Sequence, residues 1–299
     1  MPEAFRTVAV IAKKSDAVRE PLCDLVDAIA LAGVTPLLDE TASRIIGGGP
    51  GREPHPTDEL GRRAEAAVVL GGDGTMLGVG RDLAPYGTPI IGVNAGRLGF
   101  ITDIVVEEMT RVVPEMLRGH YVVDKRPLIE GIVLSGGREV FRSTAVNDCG
   151  ITHGRIGGMV EFTIYVDGQR MATQRADGII YATTTGSTAY SLAAGGPILH
   201  PSLAGAVLVP VAPHTLTNRP IVLPSACSVD IELTEVRDGQ AYFDMQKFQA
   251  MEAGDILRIR SIPDSFTFLH PAGYNHYDLL RRKLKWNLTP TGVRFPASR

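Results

Sequence analysis

Apolar positions follow two different rhythms along the chain. Thr7–Ala12 (TVAVIA) is apolar almost without interruption, the pattern of a strand buried on both faces of a parallel sheet. Val18, Leu22, Leu25, Val26 and Ile29 then recur at helical spacing, and Gly33 supplies a C-terminal stop. Further strands are expected at VTPLL (34–38), AAVVL (66–70) and TPIIGVN (88–94), with a helix over TMLGVGRDL (75–83). Residues 47–56 (GGGPGREPHP) are too rich in glycine and proline for a regular element and read as a mobile loop. Strand alternating with helix implies a parallel sheet with helices on its faces.

The rhythm changes after residues 116–120. From Tyr121 onwards, short alternating or β-branched runs are separated by turns. MVEFTIYV (159–166) and QRMATQR (169–175) flank Asp167-Gly168, while SVDIELTEV (228–236) and AYFDMQ (241–246) flank Asp238-Gly239. Asp-Gly between such runs predicts a hairpin at each place. DILRIR and SFTFLH continue the pattern, so this region reads as antiparallel, in two packed sheets. YDLLRRKLKW (277–286) regains helical periodicity, with Leu279, Leu280 and Leu284 on one face. The expected fold is therefore α/β plus all-β. It has an N-terminal parallel α/β sheet domain over 1–120 and a C-terminal β-sandwich domain over 121–275, with a helix within 276–299 packing back on the first.

Composition narrows the function classes. A formal charge of -3 over 299 residues provides no global basic field for nucleic acid. The local cluster Arg281, Arg282, Lys283 and Lys285 reads as a solvated helix face. Cys23, Cys149 and Cys227 are odd in number and far apart, which supports neither a disulfide framework nor a cysteine zinc site. The histidines form no H-E-x-x-H pattern. The N-terminal apolar run is too short for a signal peptide, and AGAVLVPVAP (204–213) is broken by prolines, so no membrane span is expected. A reducing cytoplasm fits best.

The chemistry concentrates in three glycine-rich loops that follow strands: 71–75, NAGRLGF (94–100) and TTTGSTAYSLAAGGP (183–197). The first, Gly71-Gly72-Asp73-Gly74-Thr75, is not G-x-G-x-x-G, because Leu77 stands at the third glycine position, and no Walker P-loop occurs. Three such loops point to a polyphosphate or dinucleotide lying against backbone amides. Asp73 is either a turn-forming aspartate or a carboxylate at the carboxyl end of a parallel strand, where it would accept a hydroxyl proton or help hold magnesium. Asn147-Asp148 reads as a turn, or as an amide and a carboxylate binding a ribose or nicotinamide edge. Arg175 and Asp177 are spaced to share one face of a strand, as ligand contacts or as an internal ion pair. The hydroxyls of 183–188 suit a polar ligand and Tyr190 offers a ring for stacking; a helix N-cap explains Ser187 or Thr188 but not the whole run.

GGDGT, NAGRLGF, Asn-Asp, Asp-Gly, TTTGSTAYSLAAGGPIL and PHTLTNRPIVLP occur in the order and approximate spacing of the bacterial NAD kinases, which the chain resembles from about Val68 to Leu223. GGDG alone is shared with diacylglycerol kinases and phosphofructokinases; the run through Gly186-Ser187-Thr188-Ala189-Tyr190 is far more specific. The resemblance implies transfer of the γ-phosphate of ATP to the 2′-hydroxyl of the adenosine ribose of NAD, with Asp73 as general base and Mg²⁺ or another divalent cation assisting, mainly through ATP. It implies NAD contacts from Asp73, Gly74, Phe100, Asn147, Asp148, Arg175, Asp177, Thr185, Thr188, Ala189, Tyr190 and Gln246. Gly71, Gly72, Gly74 and Thr75 become the phosphate-binding loop, and assembly as a homodimer or homotetramer is expected. Arg175 falls where the family places an arginine linked to preferring NAD over NADH. The chain departs from the family pattern at Asp148 (usually Glu), Thr184 (usually Pro) and Met245 (usually Gly), and it has Gly157-Gly158 near a histidine of some relatives. The alternatives are a non-catalytic dinucleotide sensor and another GGDG-loop kinase acting on a lipid or sugar.

Overall fold

The central strands of the N-terminal region are apolar because helices cover them. In this computed structural model residues 4–96, 99–154 and 157–286 are described, and the chain divides into two compact units, residues 1–125 with 267–299 and residues 126–266. The first unit runs β1 (Thr7–Ala12), α1 (Arg19–Leu31), β2 (Thr35–Asp39), α2 (Glu40–Ile46), β3 (Pro54–His55), α3 (Thr57–Arg63), β4 (Ala66–Gly71), α4 (Asp73–Leu83), β5 (Ile90–Asn94), β6 (Ile104–Val105) and α5 (Val106–Leu117). Strands pair in parallel in the order β5-β4-β1-β2-β3. Beyond β5, Phe268 and Leu269 pair in parallel with Ile90 and Ile91, while β6 continues the same edge against Val93 and Asn94. Val8, Val10, Val68 and Leu70 form one core with Leu22, Leu25 and Ile29 of α1 and Met109, Val113 and Met116 of α5.

Three helices lie outside those expected: α2, α3 and α5, although Met109, Val113, Met116 and Leu117 of α5 do recur at helical spacing. The first is announced by a cap instead, since the Asp39 carboxylate accepts the Ala42 N–H at 2.8 Å. The stretch 47–56, expected to be a loop throughout, ends in β3, where Pro54 and His55 pair with Leu38 and Asp39. An edge strand tolerates a proline there because its missing N–H faces away from the ladder. The helix expected from residue 75 starts two residues earlier, at Asp73, because the Gly72 carbonyl accepts both the Thr75 and Met76 N–H.

The second unit is built from antiparallel strands. The strand β7 (Tyr121–Ser135) enters it and pairs with β8 (Arg138–Ala145). The remainder comprises β9 (Asp148–His153), β10 (Val160–Val166), β11 (Gln169–Ala176), β12 (Gly178–Ala182), α6 (Tyr190–Ala193), β13 (Gly205–Val211), β14 (Ile221–Pro224), β15 (Val229–Glu235), β16 (Gly239–Phe243), β17 (Lys247–Met251) and β18 (Ile256–Pro271). One sheet runs β11-β10-β15-β18 and the other β14-β13-β12-β9-β16-β17. Phe162, Ile164, Ile231, Leu233 and Leu257 of the first share a core with Cys149, Ile151, Ile179, Tyr181 and Phe243 of the second. The second sheet is buried on its other face too, where Ile180, Ala182, Val207, Val209 and Tyr242 pack with Leu199 and Tyr190.

The hairpin expected at Asp167-Gly168 forms between β10 and β11, with both turn residues at positive φ. The one expected at Asp238-Gly239 does not. There β15 pairs with β10 and β18, whereas β16 pairs with β9 and β17, so the chain crosses from one sheet to the other. The hairpin in this stretch lies directly after AYF (241–243), at Asp244 and Met245, whose φ angles of 51° and 52° make the turn. Finally, α7 (His276–Leu284) belongs to the first unit, with Leu279 and Leu280 buried; expectations for residues 287–299 lie outside the described residues.

Candidate active site

In the first unit the apolar β4 ends on Gly71, and Gly72 opens α4, so Asp73 sits at the carboxyl end of a parallel strand on the first turn of a helix. A helix N-terminus there favours anions. The Asp73 carboxylate is held by the segment before β6. Its Oδ2 accepts the Phe100 N–H at 2.8 Å, and its Oδ1 accepts the Ile101 N–H at 3.3 Å and the Thr102 hydroxyl at 3.0 Å. Thr102 is fully buried and accepts in turn from Asn94 Nδ2 at 2.8 Å. Gly99 is required by this packing: a Cβ there would lie 1.7 Å from Asp73 Oδ1. By contrast, a Cβ on Gly72 would meet nothing within 4 Å, whereas one on Gly71 would press on the Thr75 side chain at 2.7 Å. Gly74 is exposed on the first turn of α4. Phe100 is half-buried, with Lys283 Nζ 5.0 Å from its ring centre. Arg97 and Leu98 of the second glycine-rich loop lie outside the described residues.

The second unit gathers another group of candidates around the entrance to β9. Asn147 ends the bend before the strand and Asp148 begins it, 2 % exposed and with no hydrogen-bond partner for Oδ1 among the described residues. Burial, and secondarily the charge of Asp244, raise the Asp148 carboxyl from 3.8 to about 7. Asp244 was not expected to matter. From its left-handed turn it accepts the N–H of Val146 (3.0 Å), Asn147 (2.8 Å) and Asp148 (3.2 Å), fixing this bend. Nothing in the local sequence marks it as a turn residue, because Met245 rather than glycine follows it.

The loop 183–188 folds over the same bend. The Thr183 N–H and hydroxyl both donate to the Asn147 carbonyl, and Gly186 lies so close that a Cβ would be 2.0 Å from that oxygen. The Ser187 and Thr188 hydroxyls serve the loop itself, donating to Thr184 O and Thr185 O, while the Thr185 hydroxyl accepts from Arg126 outside it. The Thr184 hydroxyl is buried without a partner among the described residues. Ala189 follows as the residue before α6. The Tyr190 ring meets Tyr242 edge-on at 6.3 Å, and burial, then the charges of Asp148 and Asp177, raise its hydroxyl above its ordinary value. Tyr190 therefore stands within electrostatic reach of both Asp148 and Asp177.

Arg175 and Asp177 do not share a strand face, because β11 ends at Ala176 and Asp177 is the bend into β12 of the other sheet. Arg175 is exposed and lines a depression with Gly157, Gly158, Glu161, Glu235 and Arg237. Gln246 is exposed on the Asp244 turn, its N–H donating to Phe243 O at 2.9 Å. Among the described residues no three His, Cys, Asp or Glu side chains cluster as a metal cage, and no helix is long and apolar enough to cross a membrane.

With this geometry in hand, comparison with known proteins is specific. The ATP-NAD kinase N-terminal domain matches residues 52–121 and the ATP-NAD kinase C-terminal domain matches residues 146–270. The NAD kinase of Burkholderia cenocepacia (strain HI2424) is 48% identical over 286 residues, covering 95% of this chain and 94% of its own. The NAD kinase of Burkholderia pseudomallei (strain K96243) is 47% identical over 290 residues, covering 96% of each. Among solved structures, yeast NADH kinase complexed with NADH superposes with a TM-score of 0.86 at 22% identity, covering 99% of this chain and 91% of that one. An Archaeoglobus fulgidus NAD kinase in complex with ATP gives 0.74 at 24%, covering 93% and 98%.

Proposed function

The chain belongs to the NAD kinase family and phosphorylates NAD to NADP, and from that premise we propose that Asp73 is the general base of the transfer, with ATP as donor. This sets aside the sensor, lipid-kinase and sugar-kinase readings. The observation that carries the proposal is the way the Asp73 carboxylate is held. A carboxylate has about four acceptor positions; Oδ1 uses two and Oδ2 one on the donors of Phe100, Ile101 and Thr102. One position on Oδ2 is left, on a group that cannot rotate away.

In the proposed reaction Oδ2 takes the proton of the 2′-hydroxyl as that oxygen forms its bond to the γ-phosphorus and the bond to the β,γ-bridging oxygen breaks, releasing ADP. Gly71, Gly72, Gly74 and Thr75 receive the donor phosphates. The openness above Gly72 supports this role, since the protein's own packing does not demand glycine there. Asn147 and Asp148 hold the adenine-side ribose and base, and Asp177, Thr185, Thr188, Ala189 and Tyr190 line that pocket. Phe100, Arg175 and Gln246 supply further contacts, Arg175 favouring the oxidised dinucleotide. Mg²⁺ or another divalent cation, when bound, neutralises charge developing on the phosphates. The reading includes a cytoplasmic homodimer or homotetramer, which light scattering on the purified protein tests for its subunit number.

A positioned base contributes roughly 10²–10⁴-fold. Asp73→Asn is therefore expected to lower kcat by roughly that factor, read as NADP formed from NAD and ATP, with NAD affinity by calorimetry little changed. Full turnover in the variant would refute the assignment.

A further inference from the structure

His270 takes no part in the site described above, yet it is the most heavily engaged histidine in the first unit. It is 2 % exposed, with Nδ1 2.9 Å from Asp103 Oδ2 and Nε2 3.2 Å from Asp124 Oδ2. A neutral imidazole carries a single N–H, so donating to both carboxylates takes the doubly protonated ring. Tyr274 stacks on it at 3.8 Å with 8° between the planes, and the Phe268 ring stands 6.0 Å away. Burial opposes the charged ring, but the hydrogen bonds and charges of Asp103 and Asp124 outweigh it and the net shift is upward. On the far side of Asp103, Glu108, Arg111, Glu115 and His120 line the adjoining depression.

A buried ion pair of this kind adds little stability compared with apolar side chains of the same volume, so packing alone does not account for it. Its connection does. Asp103 directly follows Thr102, and residues 100–102 supply all three donors that hold the Asp73 carboxylate. The segment is tied to Asp73 at one end and to His270 at the other, while the second ring nitrogen ties His270 to Asp124 on β7. We infer that His270 is a positioning residue for phosphoryl transfer: by holding Asp103 it sets the 100–102 backbone against Asp73 and so aims the base. The inference rests on the reading of Asp73 as that base.

The test is a double-mutant cycle between His270→Gln and Asp73→Asn, reading kcat, KM for NAD and melting temperature. In the native background His270→Gln is expected to lower kcat about tenfold or more, bounded by the roughly 10²–10⁴-fold that a base supplies, with KM for NAD changed far less. In the Asp73→Asn background the same substitution is expected to change kcat by less than about twofold, because groups acting as a unit are not additive. Equal fold-losses in both backgrounds, or an unchanged kcat, would overturn the inference. Asp73→Asn with full kcat would instead overturn the base assignment, a separate outcome of the same cycle. Should His270→Gln fail to fold, Asp103→Asn takes its place, since its amide oxygen still accepts from Nδ1 while the charge is gone; the same non-additivity is expected. The pH profile adds a readout that mere structural support would not move. The native kcat should fall as pH rises through the raised His270 pKa, and this limb should vanish in His270→Gln.

Discussion

Asp244→Ala is the most informative perturbation of the second unit. The carboxylate is 6 % exposed and accepts three backbone N–H groups, at 3.0, 2.8 and 3.2 Å, from Val146, Asn147 and Asp148. Each buried donor left unmade costs about 1–3 kcal/mol. Three donors sharing one acceptor do not add in full, so a loss of about 3–5 kcal/mol is expected. Alanine also inherits a left-handed φ of 51°, which adds about 1–2 kcal/mol. Asp244→Asn separates the two effects, because asparagine tolerates that conformation and keeps one acceptor oxygen. Urea unfolding followed by circular dichroism measures the stability, and calorimetry measures NAD affinity, which should weaken as the Asn147-Asp148 bend loosens. Removing the Asp244 charge should also lower the Asp148 pKa from about 7, since that charge is the second cause of its rise. An Asp244→Ala protein within about 1 kcal/mol of the native stability, with unchanged NAD affinity, would refute the reasoning.

Gly99→Ala places a Cβ 1.7 Å from Asp73 Oδ1 and 2.3 Å from Thr102 Oγ1; kcat should drop towards the Asp73→Asn level, with about 1–3 kcal/mol of destabilisation, and a native kcat would show that the loop yields freely. Met245→Gly removes a side chain from φ 52°; the relieved strain less the entropy of glycine predicts a net gain of about 0.5–1 kcal/mol, measured by the same urea titration. Asp148 titrates near 7 in the folded state against an ordinary 3.8, so the fold disfavours its ionised form, and this group's contribution makes stability fall as pH rises from about 4 through 7. Because an ionised carboxylate accepts a ribose hydroxyl more strongly than the neutral acid does, KM for NAD should decrease as pH rises through about 7, and this trend should be absent in Asp148→Asn. His270 has linkage of the same sign: its pKa is raised above the ordinary 6.5, so its stabilisation is complete below that value and is lost as pH rises through the folded pKa.

Local chemistry was legible from residues alone. The uninterrupted apolar runs announced β1 and β4, and the Gly-Gly break after β4 placed Asp73 at a strand's carboxyl end, because strand, turn and helix start are all decided within a few neighbouring residues. The Asp167-Gly168 hairpin was equally local, since β10 and β11 have only each other within reach of a two-residue turn. The same dipeptide at 238–239 misled because a turn signal states that the chain bends, not which sheet receives the next strand. The strand β16 found β9 and β17 instead, and the hairpin moved to Asp244-Met245, where no glycine marks it.

By itself, then, the sequence determined the change from parallel α/β to antiparallel β, the nucleotide-type loops and the family. These are properties of short windows, in which periodicity, turn chemistry and motif order are all contained. Only the tertiary structure decided what holds the chemistry in place. Asp244 meets Asn147 across 97 positions and His270 meets Asp103 across 167, and Gly99 is explained only by the carboxylate of Asp73 lying where its side chain would be. Such contacts depend on how sheets stack and which strands become neighbours, and no window of sequence contains both partners.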